Sequence, residues 1–299
     1  MLEGSPHRGA LRALSRLAWR RPWAKAASQL SPPLVAFVVI YIAALAALLV
    51  YSFWAVDDFT SEIVHTWGLR NFRELVNEPA WRTVAFRTVG IGAAVTLTCI
   101  ALAVPYAFFL VRIAPPRLRV LLLVATVLPL WVSYLVRVYS WRLILNPDGA
   151  LNWALDKVGL AGQSILYTNW AMWIVYSYIW FPFMVLPVYG ALERIPGSYL
   201  EASADLGGRG WTTFRRIVFP LAIPGIAAGS IFTFSLTLGD YIAPGLVGGT
   251  NSNLIGNVIF ANVGVANNIP FAAAFATVPL VIMGVFILIM KRLGAFESL

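Results

Sequence analysis

The chain has 299 residues, of which 60% are hydrophobic and only 12% are charged, and its formal net charge is +9 at pH 7. A soluble domain of this size would surround its core with a much larger charged surface, so the composition excludes that class and indicates that lipid is the solvent for most of the chain. A nucleic-acid-binding domain would cluster its basic residues on a folded polar face. Here they flank apolar runs instead, so nucleic acid is not an expected partner.

A basic tail at residues 1–30 precedes the first of six apolar segments. Each segment is long enough to cross a hydrocarbon layer about 30 Å thick, which takes roughly 20 helical residues. The first segment exceeds the roughly 7–15 apolar residues of a signal peptide, so we interpret it as a retained span. The sequence therefore predicts an all-α, polytopic membrane protein with one transmembrane domain at 31–292 and a tail at 293–299. The predicted spans are 34–54, 84–111, 119–144, 170–192, 221–246 and 270–290.

Lysine and arginine are concentrated on one side of the membrane when the loops between these spans are assigned to alternating sides. The positive-inside rule then places both termini, and the loop at 193–220, in the cytoplasm, with membrane lipid around the spans. The opposite loops hold most of the acidic residues. The basic residues on the predicted cytoplasmic side are Arg8, Arg12, Arg16, Arg20, Arg21, Lys25, Arg112, Arg117, Arg119, Arg194, Arg209, Arg215, Arg216, Lys291 and Arg292.

Residues able to bind metals or ATP are scarce. The single cysteine, Cys99, lies in an apolar run and is predicted to be a small buried hydrophobic residue. The histidines, His7 and His65, lack metal-ligand spacing, and no GxxxxGK[ST] phosphate loop occurs. We expect no catalytic residue, metal site or cofactor in this chain. If the protein uses ATP with Mg²⁺, another chain binds them.

The loop after the fourth predicted span contains a short helical pattern. Ser198 and Glu201 have the spacing of a capping box, in which the serine caps the helix and the glutamate reaches back to it. This pattern predicts a helix that runs to Leu206. Either Gly207 or Gly208 then supplies a left-handed stop at its C-terminal end.

A second, amphipathic helical pattern follows in the same loop, "WTTFRRIVFP", and Pro220 is predicted to open the fifth span, where its missing N–H costs nothing. One alternative is a connector that lies on the membrane surface. A connector seldom needs a cap and a glycine hinge, so we interpret the loop at 193–220 as a helix presented to a partner.

The spacing in this loop resembles a known signature. Glu201-Ala202-Ser203, then Gly207 after three residues, then Ile217-x-Phe219-Pro220 after nine more, is similar to the EAA loop of permease subunits of bacterial ABC importers. Serine replaces a residue that is usually alanine or glycine, and phenylalanine replaces leucine. The resemblance implies that the loop holds a coupling helix, which docks on an ATP-hydrolysing subunit. The residues it assigns to coupling are Glu201, Ala202, Ser203, Asp205, Gly207, Arg209, Ile217 and Pro220.

Further segments resemble the spermidine/putrescine branch of these importers, and specifically its PotB-type permease. The resemblance implies an ABC type I importer permease fold in the bacterial inner membrane. It also implies a heterodimer with a second permease subunit, two ATP-binding cassette subunits, and a periplasmic or lipid-anchored solute-binding protein. The segments are "LPLWVSYLVRVYSW" (128–141), "WFPFMVLPVYGALERIP" (180–196), "LGDYIAPGLVGG" (238–249) and "IGNVI" (255–259).

One acidic residue, Asp240, lies within the predicted spans, where a carboxylate usually faces protein or water. At 1.5 Å per residue, Asp240 and Arg137 reach a similar level near the outer ends of their helices. Asp240 therefore has three possible roles: an ion pair with Arg137, a simple acidic residue at the membrane interface, or an anionic contact for a cationic substrate.

Aromatic residues lie at the depth of such a substrate path. Trp131, Tyr134 and Trp180 are placed in the middle of their spans, too deep for an interfacial belt, and Tyr241 follows Asp240 directly. These rings either pack in the core or line a passage where an ammonium group rests on ring faces.

The sequence thus predicts the permease subunit of an ATP-driven importer that moves a small cationic solute, such as spermidine or putrescine, by alternating access. An importer permease for an opine or an amino-acid derivative is an alternative. An ion-coupled secondary transporter is a further one, although six spans with a partner-docking loop disfavour it. An intramembrane enzyme is disfavoured because no catalytic pair or metal cluster is present.

Overall fold

The computed structural model describes residues 22–57, 59–157, 159 and 165–292, and the chain divides into two units, residues 1–51 and 52–299. The described part of the first unit, residues 22–51, belongs to helix α1, Pro22–Ser52. Its apolar stretch, Gln29–Ser52, is long enough to cross a membrane. The helix begins inside the predicted basic tail. Residues 1–21 of that tail, and the predicted tail at 293–299, lie outside the described residues.

The regular elements among the described residues of the second unit are helices and one short antiparallel strand pair, in which Ala55 pairs with Val64 and Val56 with Ile63. The all-α prediction is therefore confirmed, with this pair as a local exception. The elements are β1 Ala55–Val56, β2 Ile63–Val64, α2 Arg70–Asn77, α3 Pro79–Arg112, α4 Pro116–Val127, a 3₁₀ turn Leu128–Trp131, α5 Tyr134–Ile144, α6 Ala150–Lys157, α7 Asn169–Glu193, α8 Gly197–Asp205, α9 Gly210–Thr213, a π-helical turn Phe214–Val218, α10 Phe219–Gly239, α11 Ile242–Val247, α12 Ile255–Gly264 and α13 Ile269–Arg292.

Five helices among the described residues are long and apolar enough to cross a membrane, and a bent helix pair makes a sixth if it counts as one span. These spans confirm the predicted polytopic architecture. Helices α3, α7 and α13 contain the predicted spans 84–111, 170–192 and 270–290, and each extends beyond the predicted limits at both ends.

The third predicted span, 119–144, contains Pro129, at which the sequence predicts a bend unless neighbouring groups satisfy the free carbonyl. The structure forms this span from two helices. Helices α4 and α5 meet at a bend of 99° after the 3₁₀ turn. Pro129 in that turn has no N–H for the helical ladder, and Val132 adopts an extended conformation with φ −83° and ψ 137°. The helical conformation therefore ends before Ser133, and a new helix begins at Tyr134.

The fifth predicted span, 221–246, starts close to the start of α10 at Phe219, but it is continued upstream and it ends earlier than predicted. One continuous helical span runs over Gly210–Gly239 and includes the π-helical turn. Pro220 lies in the first turn of α10, as predicted, but the π-helical turn joins α10 to α9, so the continuous span begins before it. The N–H of Phe219 donates to the Phe214 carbonyl, five residues back, so the ladder is already widened where the proline N–H is missing. At the other end the helix stops at Gly239, and Asp240 is extended with ψ 133°.

The core lies where α3, α7 and α10 pack together. Its fully buried side chains include Val95, Tyr176 and Met184, and also Cys99, whose predicted burial is confirmed. Two glycines of α10 face α7 at very short range. A Cβ on Gly225 would lie 2.5 Å from the Pro187 carbonyl oxygen, and one on Gly229 would lie 2.6 Å from the Met184 sulfur. Small residues thus allow these two backbones to approach closely, as is typical of membrane helix pairs.

Candidate functional site

The loop between α7 and α9 contains helix α8, as the sequence predicts, but its predicted capping box is wrong. The N-cap residue is Pro196, so Ser198 lies inside the first turn, and no side chain caps the helix start. Pro196 is extended, with ψ 142°, and its fixed φ prepares the entry into the helix. A proline therefore sets the start that the sequence assigned to the serine.

The predicted left-handed stop is confirmed at Gly207, which has φ +76°. The N–H of Gly207 donates to the Ala204 carbonyl at 2.9 Å, and the N–H of Gly208 donates to the Ser203 carbonyl at 2.8 Å. These two bonds form a Schellman motif, which satisfies the last carbonyls of α8. Gly208 is needed for a different reason, because a Cβ there would collide with Ser203.

A hydrogen bond joins α8 to the following helix. The hydroxyls of Ser203 and Thr213 lie 2.7 Å apart, and Ser203 is buried. A groove of about 770 Å³ lies beside this contact, between α8 and the start of α10. Five of the predicted loop residues line it, namely Ala202, Ser203, Gly207, Ile217 and Pro220.

The charged residues of the predicted loop set do not line the groove. Glu201, Asp205 and Arg209 are all exposed. Leu206 is 89% exposed, and Trp211 is also exposed although it stacks on Phe214. The loop thus presents charged and apolar side chains on a backbone that its own hydrogen bonds fix, which is the arrangement expected of a docking surface.

A second candidate site surrounds Asp240, which is only 9% exposed. The Tyr134 hydroxyl donates to Oδ2 of Asp240 at 2.5 Å, and the Tyr176 hydroxyl donates to the same oxygen at 2.8 Å. The backbone N–H of Ile242 donates to Oδ1 at 3.1 Å, and that of Ala243 donates to Oδ2 at 3.1 Å. The carboxylate therefore ties α5 and α7 to the break between α10 and α11.

The alternative of an Asp240–Arg137 ion pair is not borne out among the described residues. The Cζ atom of Arg137 lies 5.8 Å from the centroid of the Tyr134 ring, and its Nε and Nη1 atoms are enclosed without a hydrogen-bond acceptor. The tyrosine whose hydroxyl bonds Asp240 thus offers its ring to the guanidinium.

Tyr176 is a site residue that the sequence analysis missed. A tyrosine in an apolar helix gives no sign that its hydroxyl is used. The available signal was its spacing from Trp180, because residues four apart share one helix face.

Three of the aromatic rings form a stack. The Trp180 ring lies 5.8 Å from Tyr134 and 6.2 Å from Tyr176, with interplanar angles of 12° and 13°. Trp131 and Tyr241 do not join this stack. Trp131 is 89% exposed beside the bend, and Tyr241 is 43% exposed and stacks on Phe260. The structure therefore brings Tyr134, Arg137, Trp180 and Asp240 together but leaves the other two predicted path residues apart.

No group of three or more potential metal ligands occurs among the described histidine, cysteine, aspartate and glutamate residues.

Comparison with known proteins places these features in context. A family described as "Binding-protein-dependent transport system inner membrane component" matches residues 29–296. The chain is 42% identical to the inner membrane ABC transporter permease protein YdcU of Escherichia coli K12, over 99% of this chain and 98% of that protein. It is 32% identical to the spermidine/putrescine transport system permease protein PotB of Salmonella typhimurium, over 87% of this chain and 90% of that protein.

Solved structures give the same fold. A bacterial ABC transporter involved in the import of the acidic polysaccharide alginate aligns with a TM-score of 0.73 at 19% identity, over 94% of this chain and 99% of that chain. The MetNI methionine ABC transporter in an inward-facing conformation aligns with a TM-score of 0.56 at 16% identity, over 71% of this chain and 94% of that chain.

Proposed function

We propose a transport function from the premise that the chain belongs to the family of binding-protein-dependent transport system inner membrane components. The proposed activity is the movement of a small cationic solute, most specifically a polyamine, into the cytoplasm by alternating access. The chain is a multi-pass permease subunit of an ABC importer. Its family is that of transport subunits, which do not hydrolyse ATP, so a partner supplies the energy.

The loop around α8 is proposed as the surface that receives this energy. Its support is the Schellman stop at Gly207 together with the Ser203–Thr213 hydrogen bond, which fix α8 against the start of the fifth span. The proposal places this loop and both termini in the cytoplasm. The proposed partners are two ATP-binding subunits, which bind ATP and Mg²⁺, a second and different permease subunit, and a solute-binding protein on the opposite side.

The cationic solute is supported by the ring stack and by the 32% identity to PotB. Ring faces attract ammonium groups by roughly 0.5–2 kcal/mol, depending on how far the site is desolvated. In this conformation the Asp240 carboxylate already accepts four hydrogen bonds. The Trp180 ring is buried between the two tyrosine rings, so an ammonium group would reach the ring faces and the carboxylate only when the stack opens and the tyrosines release Asp240.

A second candidate solute is an amino-acid derivative or an opine. The observation that favours it is the Arg137 guanidinium, whose enclosed nitrogens lack an acceptor. A carboxylate on the solute would provide one.

The test is uptake of labelled spermidine, putrescine and an amino acid of matched chain length by proteoliposomes that hold the complete complex and its binding protein. Uptake of both polyamines that requires ATP inside the proteoliposomes supports the proposal. Uptake of the amino acid alone would overturn the polyamine assignment and leave the importer assignment in place.

The isolated chain is predicted to hydrolyse no ATP. Its sequence offers no phosphate-binding loop, so the nucleotide has no site on this subunit. The measurement is phosphate release by the purified chain, with the complete complex as the positive control. Activity that persists in the chain after every ATPase has been removed would contradict the importer assignment.

Gly207→Val is predicted to uncouple ATP hydrolysis from uptake. The φ of +76° costs a residue with a Cβ about 1–2 kcal/mol, and valine more than most, so the end of α8 is expected to shift. Nothing lies within 4 Å of the added Cβ, so the effect comes from the backbone alone. We expect uptake to fall by about tenfold, since about 1.4 kcal/mol corresponds to that factor.

Two variants control this prediction. Gly210→Val adds the same side chain in open space at a residue without a positive φ, and it is expected to be neutral. Gly207→Asn tolerates the left-handed conformation and is expected to retain most of the uptake. Equal uptake by the two valine variants would show that the stop at Gly207 has no part in coupling.

A further inference from the structure

Three arginines lie at the turn between α3 and α4, and two of them hold the ends of neighbouring helices. Arg112 Nη2 donates to the Ile195 carbonyl at 2.6 Å and to the Leu192 carbonyl at 3.3 Å. Arg112 ends α3, whereas Leu192 lies in the last turn of α7 and Ile195 directly precedes Pro196, the N-cap of α8. Arg112 therefore fastens the end of α3 to the base of the proposed coupling loop.

Arg119 makes the corresponding contact on the other side of the turn. Its Nε donates to the Leu110 carbonyl at 2.8 Å, and its Nη2 donates to the Val111 carbonyl at 2.9 Å. These carbonyls belong to the last turn of α3, where no N–H within the helix is available to them. A cation near a helix C-terminus also interacts favourably with the helix dipole. Arg119, in the first turn of α4, thus joins α4 to the same helix end.

The two arginines complete a chain of contacts that reaches Asp240. The loop base is bonded to Arg112, and Arg119 bonds the end of α3 to α4. Helix α4 is one arm of the bent span, and the other arm, α5, carries Tyr134, which donates to Asp240. A displacement of α8 can therefore be transmitted to the break between α10 and α11 through the arginine hydrogen bonds, the connected helices α4 and α5, and the Tyr134–Asp240 hydrogen bond.

We propose that Arg112 and Arg119 are positioning residues that transmit the movement of the α8 loop to the bent span α4–α5 during ATP-driven transport. This rests on the proposed function of the loop as the ATPase-coupling surface. The guanidinium suits this role because it donates several hydrogen bonds in a fixed planar geometry and stays charged.

Arg117 provides the matched control. It lies in the same turn with the same charge, but it is exposed and forms no hydrogen bond or ion pair with any described residue. If the arginines served only to orient the chain in the membrane, the three positions would be equivalent. Transmission by hydrogen bonds requires Arg112 and Arg119 and is indifferent to Arg117.

The experiment compares complete complexes that carry Arg112→Gln, Arg119→Gln or Arg117→Gln in proteoliposomes, with uptake and ATP hydrolysis measured on the same vesicles. We expect the first two variants to assemble and hydrolyse ATP but to lose about tenfold in solute moved per ATP, within the range typical of coupling between sites. Arg117→Gln should stay within about twofold of the wild type. Arg112→Lys, which keeps the charge and one or more donors, should recover part of the loss.

The double variant Arg112→Gln/Arg119→Gln separates transmission from simple helix capping. Two links in one route are expected to fail together, so the double variant should lose little more than either single one, whereas independent caps would add their effects. Additive losses, or equal ratios of uptake to hydrolysis in the Arg112, Arg119 and Arg117 variants, would overturn the proposal.

Hydrogen exchange of the same complexes gives a readout that does not depend on the solute. On addition of ATP, protection should change in the α8 loop and in α4 in the wild type and in Arg117→Gln, but only in the loop in Arg112→Gln. An ATP response in α4 that survives Arg112→Gln would also overturn the proposal. Failure of wild-type uptake with this pattern intact would count against the polyamine assignment alone.

Discussion

Replacing Gly225 by valine is expected to prevent the membrane bundle from assembling. A Cβ at this position would lie 2.5 Å from the Pro187 carbonyl oxygen and 2.6 Å from the Ala191 Cβ, so backbone on α7 stands in its way. Overpacking typically costs about 1–3 kcal/mol, and more where, as here, no flexible side chain can move aside. Because close approach of small residues drives helix association in lipid, α7 and α10 would separate.

The measurement is the yield of the purified complex, with its thermal unfolding temperature where it assembles. Gly284→Val on α13 is the control, because nothing lies within 4 Å of the Cβ it would add. We expect that variant to assemble like the wild type. Normal yield and stability of Gly225→Val would mean that α7 and α10 do not cross at this distance.

Asp240→Ala is expected to have a second large effect. It removes the acceptor for two tyrosine hydroxyls and two backbone N–H groups, all at a site that is largely buried. Each buried donor left without an acceptor costs about 1–3 kcal/mol, so a total of about 4 kcal/mol is expected when partial relaxation is allowed for. Helices α5 and α7 would lose their link to the start of α11, and both complex stability and uptake should fall.

Tyr134→Phe and Tyr176→Phe separate the contributions of the two hydroxyls to this loss of stability, because each removes a single hydroxyl donor and keeps the ring in the stack. We expect a smaller loss in each, about 1.5–3 kcal/mol for a hydrogen bond to a charged group. Tyr241→Phe is the control, since Tyr241 stacks on Phe260 and makes no hydrogen bond with Asp240. Thermal unfolding of the purified complex ranks the variants.

Arg137→Gln is not expected to rescue Asp240→Ala, because the two side chains are not paired. Restored assembly in the double variant would revive the ion-pair interpretation that the structure disfavours. Wild-type stability of Asp240→Ala would contradict the structural role of the carboxylate altogether.

The number of spans could be predicted from the sequence because crossing a membrane requires a long apolar run whatever its partners. Which of the span prolines bends its helix sharply could not. Pro182 and Pro187 lie inside the continuous helix α7, whereas Pro129 precedes a 99° bend. A local pattern shows where a hydrogen bond is missing, but tertiary packing decides whether the helix continues.

The loop at 193–220 also contains one feature that could be predicted from the sequence and one that could not. The left-handed stop at Gly207 was predictable because glycine adopts a positive φ at little cost. The helix start was not, because Ser198 and Glu201 have capping-box spacing while the backbone already turns at Pro196. Partners of Asp240 were missed for a different reason. Tyr134 and Tyr176 are far from it along the chain, and only the packing of α5 and α7 against α10 brings their hydroxyls to the carboxylate.

The π-helical turn at Phe214–Val218 rotates the loop about the helix axis relative to the fifth span. A π turn accommodates one residue more than an α turn, and one residue in an α-helix corresponds to a rotation of about 100°. The residues before it, including those that bond Ser203, are therefore rotated about the helix axis relative to an uninterrupted α-helix. Deletion of Arg215, which does not line the groove, would keep every groove side chain yet point α8 in another direction. Chimeras that exchange the loop between related permeases must therefore match this rotation as well as the sequence.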